Sequence, residues 1–318
     1  MSDQPLVLVL ATDNDPQLAL LGSIPHVVGA TFDDVAGSVA DAEAILHWSG
    51  SRETLRQVFL ACPKVRWVHS RNAGLDNLLF PELIQSPIPL TNGSGVFSQS
   101  LGEFALAAIL YFAKDFPRML RNQRSQQWEQ FDVDEISTQT VGIVGYGDIG
   151  RAVATRAKAM GMKVLALKRH APPQGDPLIE QFYAPPQIHE MLSACDYVVV
   201  AAPLTNETRH MVSDAEFAAM KPSAIVINVG RGPVIDQAAL LRALAAKQIR
   251  GAGLDVFEHE PIPKGDPIWS LDNVLISPHT ADHTCTWLNQ AMQFFVEQYE
   301  RFCSDKPLEN VVDKHLGY

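Results

Sequence analysis

Short apolar runs alternate with amphipathic stretches along most of this chain. Runs rich in Val, Ile, Leu and Ala fall at 6–10, 43–48, 66–70, 140–145, 163–167, 197–202, 224–229, 251–257 and 274–278. Such nearly all-apolar segments predict strands buried on both faces of a parallel sheet. Helical patterns lie between them at 51–61, 101–115, 149–160, 235–246 and 286–302. Strands separated by helices predict an α/β protein with helices covering its sheets. The run FALAAILYFA at 104–113 is too apolar for a surface helix. It is expected to be buried, either between domains or against another subunit. Pro117 should break or kink that helix.

One segment carries its own nucleotide-binding pattern. The motif Gly145-Tyr146-Gly147-Asp148-Ile149-Gly150 follows a predicted strand and precedes a predicted helix. Gly145 permits a tight turn, Gly147 lets the backbone approach a pyrophosphate, and Gly150 lets helix and strand pack closely. The helix N-terminus then faces the anion. The first hundred residues form a separate strand–helix series without this fingerprint. Two sheets are therefore expected. One domain spans 102–286. The other joins 1–101 to 287–318, with the last helix returning to it and a cleft at the strand ends of the cofactor domain.

After the strand at 163–167 come Lys168, Arg169 and His170. A carboxylate at this place would accept the ribose hydroxyls of NAD. A basic triplet attracts a 2′-phosphate instead, which predicts NADP(H) over NAD(H).

Composition narrows the remaining classes. The chain has 318 residues, enough for two ordinary domains, with 47% hydrophobic and 19% charged residues. Its net charge of −11 argues against a general nucleic-acid binder. No apolar run approaches the ~18 residues of a membrane span. The start, MSDQPLVLVL, lacks the pattern of a secretion signal. Cys62, Cys195, Cys285 and Cys303 are scattered, so a reduced, cytoplasmic protein without a structural metal is expected.

Three polar residues follow predicted strands near the end of the chain: Arg231 in NVGRG, Glu260 in FEHEP and His279 in SPHTA. A cation, a carboxylate and an imidazole at successive strand ends suit reduction of a 2-keto acid. The arginine would hold the carboxylate and polarise the carbonyl. The histidine would give a proton to the oxygen, and the glutamate would keep the imidazole protonated. Any one of them alone reads as an ordinary loop residue. Together, at spacings of 29 and 19 residues (231 to 260, 260 to 279), they make a site.

The sequence resembles the D-isomer-specific 2-hydroxyacid dehydrogenase family over nearly its whole length. The resemblance rests on RNAGLDN at 71–77, TNGSGVFSQSLGEFAL at 91–106, TVGIVGYGDIGRAVA at 140–154, APLTNETRHM at 202–211, INVGRGPVID at 227–236, GLDVFEHEP at 253–261 and SPHTA at 277–281. It implies two doubly wound parallel-sheet domains: a Rossmann dinucleotide-binding domain inserted into a discontinuous, flavodoxin-like substrate domain. It implies Arg231, Glu260 and His279 as the catalytic set. Backbone amides around Ala73 and Gly74 would take the substrate carboxylate. Asp255 would sit by the nicotinamide carboxamide, and Thr205 or Thr208 near the cofactor phosphates. Ala202, Pro203, Val229 and Gly230 belong to the matched cofactor motifs. The segment from 104 through Arg121 to Trp128 resembles the family's dimer-forming region, so a homodimer is expected.

The chain departs from the family pattern at Lys168, and at Asp282 and His283, where glycine often follows His-Thr-Ala. The regulatory C-terminal extension and long N-terminal segment of some relatives are not expected here. The reading is an NADP(H)- or NAD(H)-dependent oxidoreductase that interconverts a 2-keto acid and a D-2-hydroxy acid. Hydroxypyruvate or glyoxylate is the default substrate, and a larger hydrophobic keto acid stays open. A phosphite dehydrogenase and an NAD(H)-sensing corepressor are the alternatives. His47 and His69 read as core or cleft-wall residues, and Trp48 and Phe97 as packing or pocket residues.

Overall fold

The computed structural model describes residues 4–170, 172 and 174–318. The first three residues, part of the N-terminal signal reading, lie outside the described set. The chain divides into two compact units. Unit 1 comprises the residues up to Phe97 together with Thr284–Tyr318, and unit 2 is Ser98–His283.

Unit 1 is a parallel sheet of β1 (Leu6–Leu10), β2 (His26–Gly29), β3 (Ala42–His47), β4 (Trp67–Ser70) and β5 (Leu90–Asn92). Its order, β2-β1-β3-β4-β5, is the doubly wound flavodoxin-like order. β1 and β3 are almost wholly buried, which is why β1 is apolar throughout and β3 is apolar except at Glu43 and His47. Ser51 starts the helix Arg52–Ala61 by accepting the Thr54 amide at 3.1 Å. The final helix, Trp287–Cys303, covers this sheet: Phe295 stacks on Trp67 at 5.3 Å, and the Tyr299 hydroxyl donates to the Pro5 carbonyl at 2.7 Å.

Unit 2 is a seven-stranded parallel sheet of β6 (Thr140–Val144), β7 (Lys163–Leu167), β8 (Gln181–Tyr183), β9 (Tyr197–Val200), β10 (Ile225–Asn228), β11 (Gly251–Leu254) and β12 (Val274–Ile276). The order is β12-β11-β10-β9-β6-β7-β8. The chain reverses winding direction between β6 and β9, and the glycine turn begins at that switch point. The fold class is the expected one: two parallel-sheet α/β domains, the second of Rossmann type.

The strands at 197–202, 224–229, 251–257 and 274–278 stop earlier than their apolar runs suggest. The surplus residues are the loops that carry the site. Three short strands, β2, β5 and β8, carry polar residues and lack the apolar-run signal.

The apolar helix packs through its small residues. One face of Ser98–Ala113 is buried within unit 2 itself, a neighbour the apolar run did not identify, while Leu106, Leu110 and Tyr111 on the rest of the helix stay partly exposed. Gly102 brings it against the helix Asp148–Ala159: a Cβ there would lie 3.0 Å from the Ala152 carbonyl carbon. Across the sheet face, a Cβ on Gly253 would lie 3.1 Å from that of Ala108. Small residues thus let a thick apolar helix lie directly on β11. Pro117 does not kink it. The helix ends at Ala113, Asp115 adopts φ 49° and caps the Arg118 amide, and Pro117 sits in the first turn of a new helix, Phe116–Arg124.

Candidate active site

The glycine turn is built by backbone crowding. Gly145 has φ +95°, and a Cβ there would lie 2.6 Å from Ala202 Cα. A Cβ on Gly230 would lie 2.8 Å from the Ala202 carbonyl oxygen. The carboxyl ends of β6, β9 and β10 therefore meet backbone to backbone, through Gly145, Ala202 and Gly230. Gly150 closes the turn: its Cβ would fall 2.5 Å from the Gly145 carbonyl oxygen. Gly147 differs from these three. A Cβ there would meet nothing within 4 Å, and its φ of −107° suits any residue. Among the described residues no protein atom explains that glycine, so the fit is to a ligand approaching the backbone at the helix N-terminus, with Asp148 and Ile149 opening the helix.

Tyr146 points inward. It is buried against Phe182, and its hydroxyl donates to Asp176 at 2.9 Å. Burial and then the Asp176 carboxylate push its ionisation well above the ordinary tyrosine range. Lys168 lies with its ammonium 5.7 Å from the Tyr146 ring centre. Arg169 is ion-paired to Glu207, and His170 is exposed. Neither acidic partner at this corner, Asp176 or Glu207, was foreseen from sequence.

The loop after β9 braces itself. Thr208 donates to the Pro203 carbonyl at 2.6 Å and accepts the Thr205 amide at 2.8 Å. Its hydroxyl is thus engaged inside the loop. Thr205 accepts the Glu207 amide at 3.3 Å. Val229, with its amide bonded to the Val200 carbonyl at 3.0 Å, continues the floor beside Gly230.

The three catalytic candidates follow neighbouring strands. Asn228, Leu254 and Ile276 lie side by side at the ends of β10, β11 and β12. Arg231 follows the first, Glu260 the second and His279 the third. Buried Asn228 fixes the arginine loop. It accepts the Gly230 amide and donates to the Arg231 carbonyl, both at 3.1 Å. Gly232 allows the loop to pass the next one, since a Cβ there would overlap the Phe257 carbonyl.

Glu260 and His279 meet directly. His279 Nδ1 lies 2.7 Å from Glu260 Oε2, while the other carboxylate oxygen accepts the Phe257 amide at 2.8 Å. The carboxylate is therefore fixed from one side and aligns the imidazole from the other. In that contact Nδ1–H donates to the carboxylate, which leaves Nε2 for other chemistry.

His279 has φ 54°, a left-handed conformation that costs a non-glycine residue about 1–3 kcal/mol. Asp255 holds it there. This buried carboxylate receives the Ser277 hydroxyl at 2.6 Å and the Thr280 and Ala281 amides at 3.0 and 3.1 Å, all on one oxygen. The resemblance implies a place for Asp255 beside the nicotinamide; in the structure its carboxylate also anchors the histidine loop. Just beyond it, His283 Nε2 lies 3.6 Å from Asp282 Oδ1.

In unit 1, buried Asn92 donates to the Ala73 carbonyl at 2.7 Å. Among the described residues, no acceptor is found for the Ala73 and Gly74 amides. Trp48 is buried, with its indole nitrogen donating to Asp15 at 2.7 Å, and Phe97 packs on Trp287. His47 and His69 are buried as expected for core residues. Also among the described residues, no helix is long and apolar enough to cross a membrane, and no His/Cys/Asp/Glu group could hold a metal.

A parallel sheet with a glycine turn at its switch point, and a His–Glu pair at neighbouring strand ends, defines a nucleotide-dependent oxidoreductase. Residues 106–281 match the family model described as D-isomer specific 2-hydroxyacid dehydrogenase, NAD binding domain, and the chain belongs to that family. A glyoxylate reductase from Thermococcus gammatolerans is 36% identical over 255 residues, covering 77% of this chain and 75% of that one. A D-isomer specific 2-hydroxyacid dehydrogenase from Xanthobacter autotrophicus Py2, solved with NADPH and MES, is 29% identical with a TM-score of 0.85 and 99% of each chain covered. An NADPH-dependent glyoxylate/hydroxypyruvate reductase from Sinorhizobium meliloti, solved with NADP and sulfate, is 25% identical with a TM-score of 0.84, covering 99% of this chain and 100% of that one.

Proposed function

We propose that this protein reduces a short 2-keto acid, glyoxylate or hydroxypyruvate, to the 2-hydroxy acid with NADP(H), and uses NAD(H) less well. The observation that carries the reading is the 2.7 Å contact between His279 Nδ1 and Glu260 Oε2. Glu260 stabilises the imidazolium, and Nε2–H is the proton donor to the developing alkoxide. A nicotinamide held at the strand ends of unit 2 would supply the hydride to the carbonyl carbon. In the reverse direction, neutral Nε2 takes the hydroxyl proton. Arg231 pairs with the substrate carboxylate and polarises the carbonyl. The Ala73 and Gly74 amides supply further donors to that carboxylate.

For the cofactor, the Gly145–Gly150 turn and the helix N-terminus take the pyrophosphate. Thr205 or Thr208 would lie near it, and Ala202, Pro203, Val229 and Gly230 would form the adjoining floor, with Asp255 by the nicotinamide. Lys168, Arg169 and His170 take the 2′-phosphate. The names of the relatives support both substrate and coenzyme.

The protein acts as a cytoplasmic homodimer in this reading. Phe116, Met119 and Leu120 are each at least 40% exposed, and Trp128 is 95% exposed, so a contiguous sequence segment offers unsatisfied apolar surface to a second copy. The test is turnover of glyoxylate, hydroxypyruvate and larger 2-keto acids with NADPH and NADH, alongside light scattering. NADPH-dependent turnover of the two small acids by a dimer is expected. Turnover confined to NADH, or to bulky keto acids, would overturn the coenzyme or the substrate assignment respectively.

A further inference from the structure

Two carboxylates share the basic corner after β7, and they are held in opposite ways. Asp176 is fixed: its side chain is 11% exposed, accepts the Leu178 amide at 3.0 Å and the Tyr146 hydroxyl at 2.9 Å, and lies 3.6 Å from Arg151. Those partners hold its carboxyl below the usual range, the Leu178 amide most of all. Glu207 is loose by comparison. Its side chain is 68% exposed, and its recorded side-chain partner is Arg169.

The position of that pair matters. Arg169 follows β7 and Glu207 lies in the loop after β9, and these two strands flank β6 on either side. The ion pair therefore straddles the strand that ends in the Gly145 turn. It joins the two segments that a bound adenosine must enter between. The loop itself does not depend on the pair, because Thr205 and Thr208 brace it internally.

We propose that Glu207 is an internal competitor for the 2′-phosphate. It occupies Arg169 when no phosphate is bound, and it is exchanged for the phosphate when NADP(H) enters. NADH, lacking the phosphate, leaves the pair intact. Glu207 thus sets how strongly the basic triplet discriminates between the two coenzymes. A dianionic phosphate outcompetes a carboxylate for a guanidinium, but it must first displace one. This inference rests on the NADP(H) reading above.

The size of the effect follows from the exposure. Surface ion pairs are worth about 0.2–1 kcal/mol, so removing the competitor should tighten phosphate binding by about 1.4-fold to fivefold. The probes are 2′,5′-ADP and 5′-AMP, which isolate the adenosine corner, with Kd measured by calorimetry on the intact protein. Glu207→Gln is expected to tighten 2′,5′-ADP by that factor and leave 5′-AMP unchanged. In an Arg169→Leu background, Glu207→Gln should have no effect on either probe.

Equal tightening of both probes, or tightening that persists without Arg169, would mean a general charge effect and overturn the exchange. Unchanged or weaker 2′,5′-ADP binding in Glu207→Gln would overturn it as well. Weaker 5′-AMP binding would make Glu207 a ribose acceptor instead. A wild-type protein with no preference for 2′,5′-ADP over 5′-AMP would sink the NADP(H) reading together with this inference. A wild-type preference that Arg169→Leu abolishes and Glu207→Gln leaves untouched would sink the inference alone.

Discussion

In unit 1 the last residues of β3 and the middle of β4 bury His47 and His69; in unit 2 the loops after β10, β11 and β12 present Arg231, Glu260 and His279. Both units are doubly wound parallel sheets, yet their histidines live in different solvents. His69 is 1% exposed, bonded through Nδ1 to the Thr91 hydroxyl at 2.7 Å, and burial pulls its pKa down to about 3. His47 is lowered too, chiefly by burial, with the Arg71 charge adding to it. His279 keeps 42% of its side chain exposed and has a carboxylate beside Nδ1. The same residue type is a buried packing element in one sheet and, in the proposed reaction, the proton carrier in the other. Strand-end position alone does not distinguish them; the partner does.

The sharpest way to test that contrast is to remove one histidine from each sheet. His279→Ala should lower kcat by ~10²–10⁴-fold, the usual scale for a general acid, while cofactor binding stays near wild type. His69→Gln should leave kcat within a few fold and lower stability instead. Steady-state kinetics with thermal unfolding of both variants decides it. Loss of turnover in His69→Gln with unchanged stability would erase the distinction.

Asp255 offers a finer cut within unit 2. Asp255→Ala strips an acceptor from Ser277, Thr280 and Ala281, so stability should fall by about 1–3 kcal/mol. The left-handed His279 would then relax, and kcat should fall by roughly tenfold, about 1.4 kcal/mol of transition-state stabilisation. Cofactor Kd separates the two roles. An unchanged Kd marks a residue that positions the histidine loop, and a weakened Kd marks a direct contact with the nicotinamide.

The smallest effect is in the pH response of the two sheets. The unfolded chain binds protons on His47 and His69 below about 6.5, which the folded unit 1 resists. Their contribution is full above that value and is lost as pH falls toward their depressed folded values, at up to about 1.4 kcal/mol per group per pH unit. Hydrogen exchange, corrected for intrinsic rates, should show β3 and β4 losing protection between pH 7 and 5 before β6 and β9 do. Simultaneous loss, or earlier loss in unit 2, would show that other groups govern acid stability.

Much of this was legible from residues near one another in the chain. Strand periodicity, the Gly145–Gly150 turn and the three polar strand ends are local patterns, set by backbone sterics and by burial on two faces. The spacing of Arg231, Glu260 and His279 suggested one group, and of these Glu260 and His279 meet directly. The short strands β2, β5 and β8 were not legible, because three or four residues with polar members carry no periodic signal.

Tertiary structure decided the rest, because it concerns which distant groups share a neighbourhood. No local pattern reveals that Arg169 meets Glu207, 38 residues on, or that Tyr146 reaches Asp176 across 30. Apolarity predicted that 104–113 would be buried, but only packing against Ala152 and Gly253 showed that its own unit buries one face of it. Asp255 reads in the sequence as an acid after a turn. Its role as the anchor of His279 appears only when β11 and β12 lie side by side, since hydrogen bonds form between atoms close in space and sequence separation does not enter their energy.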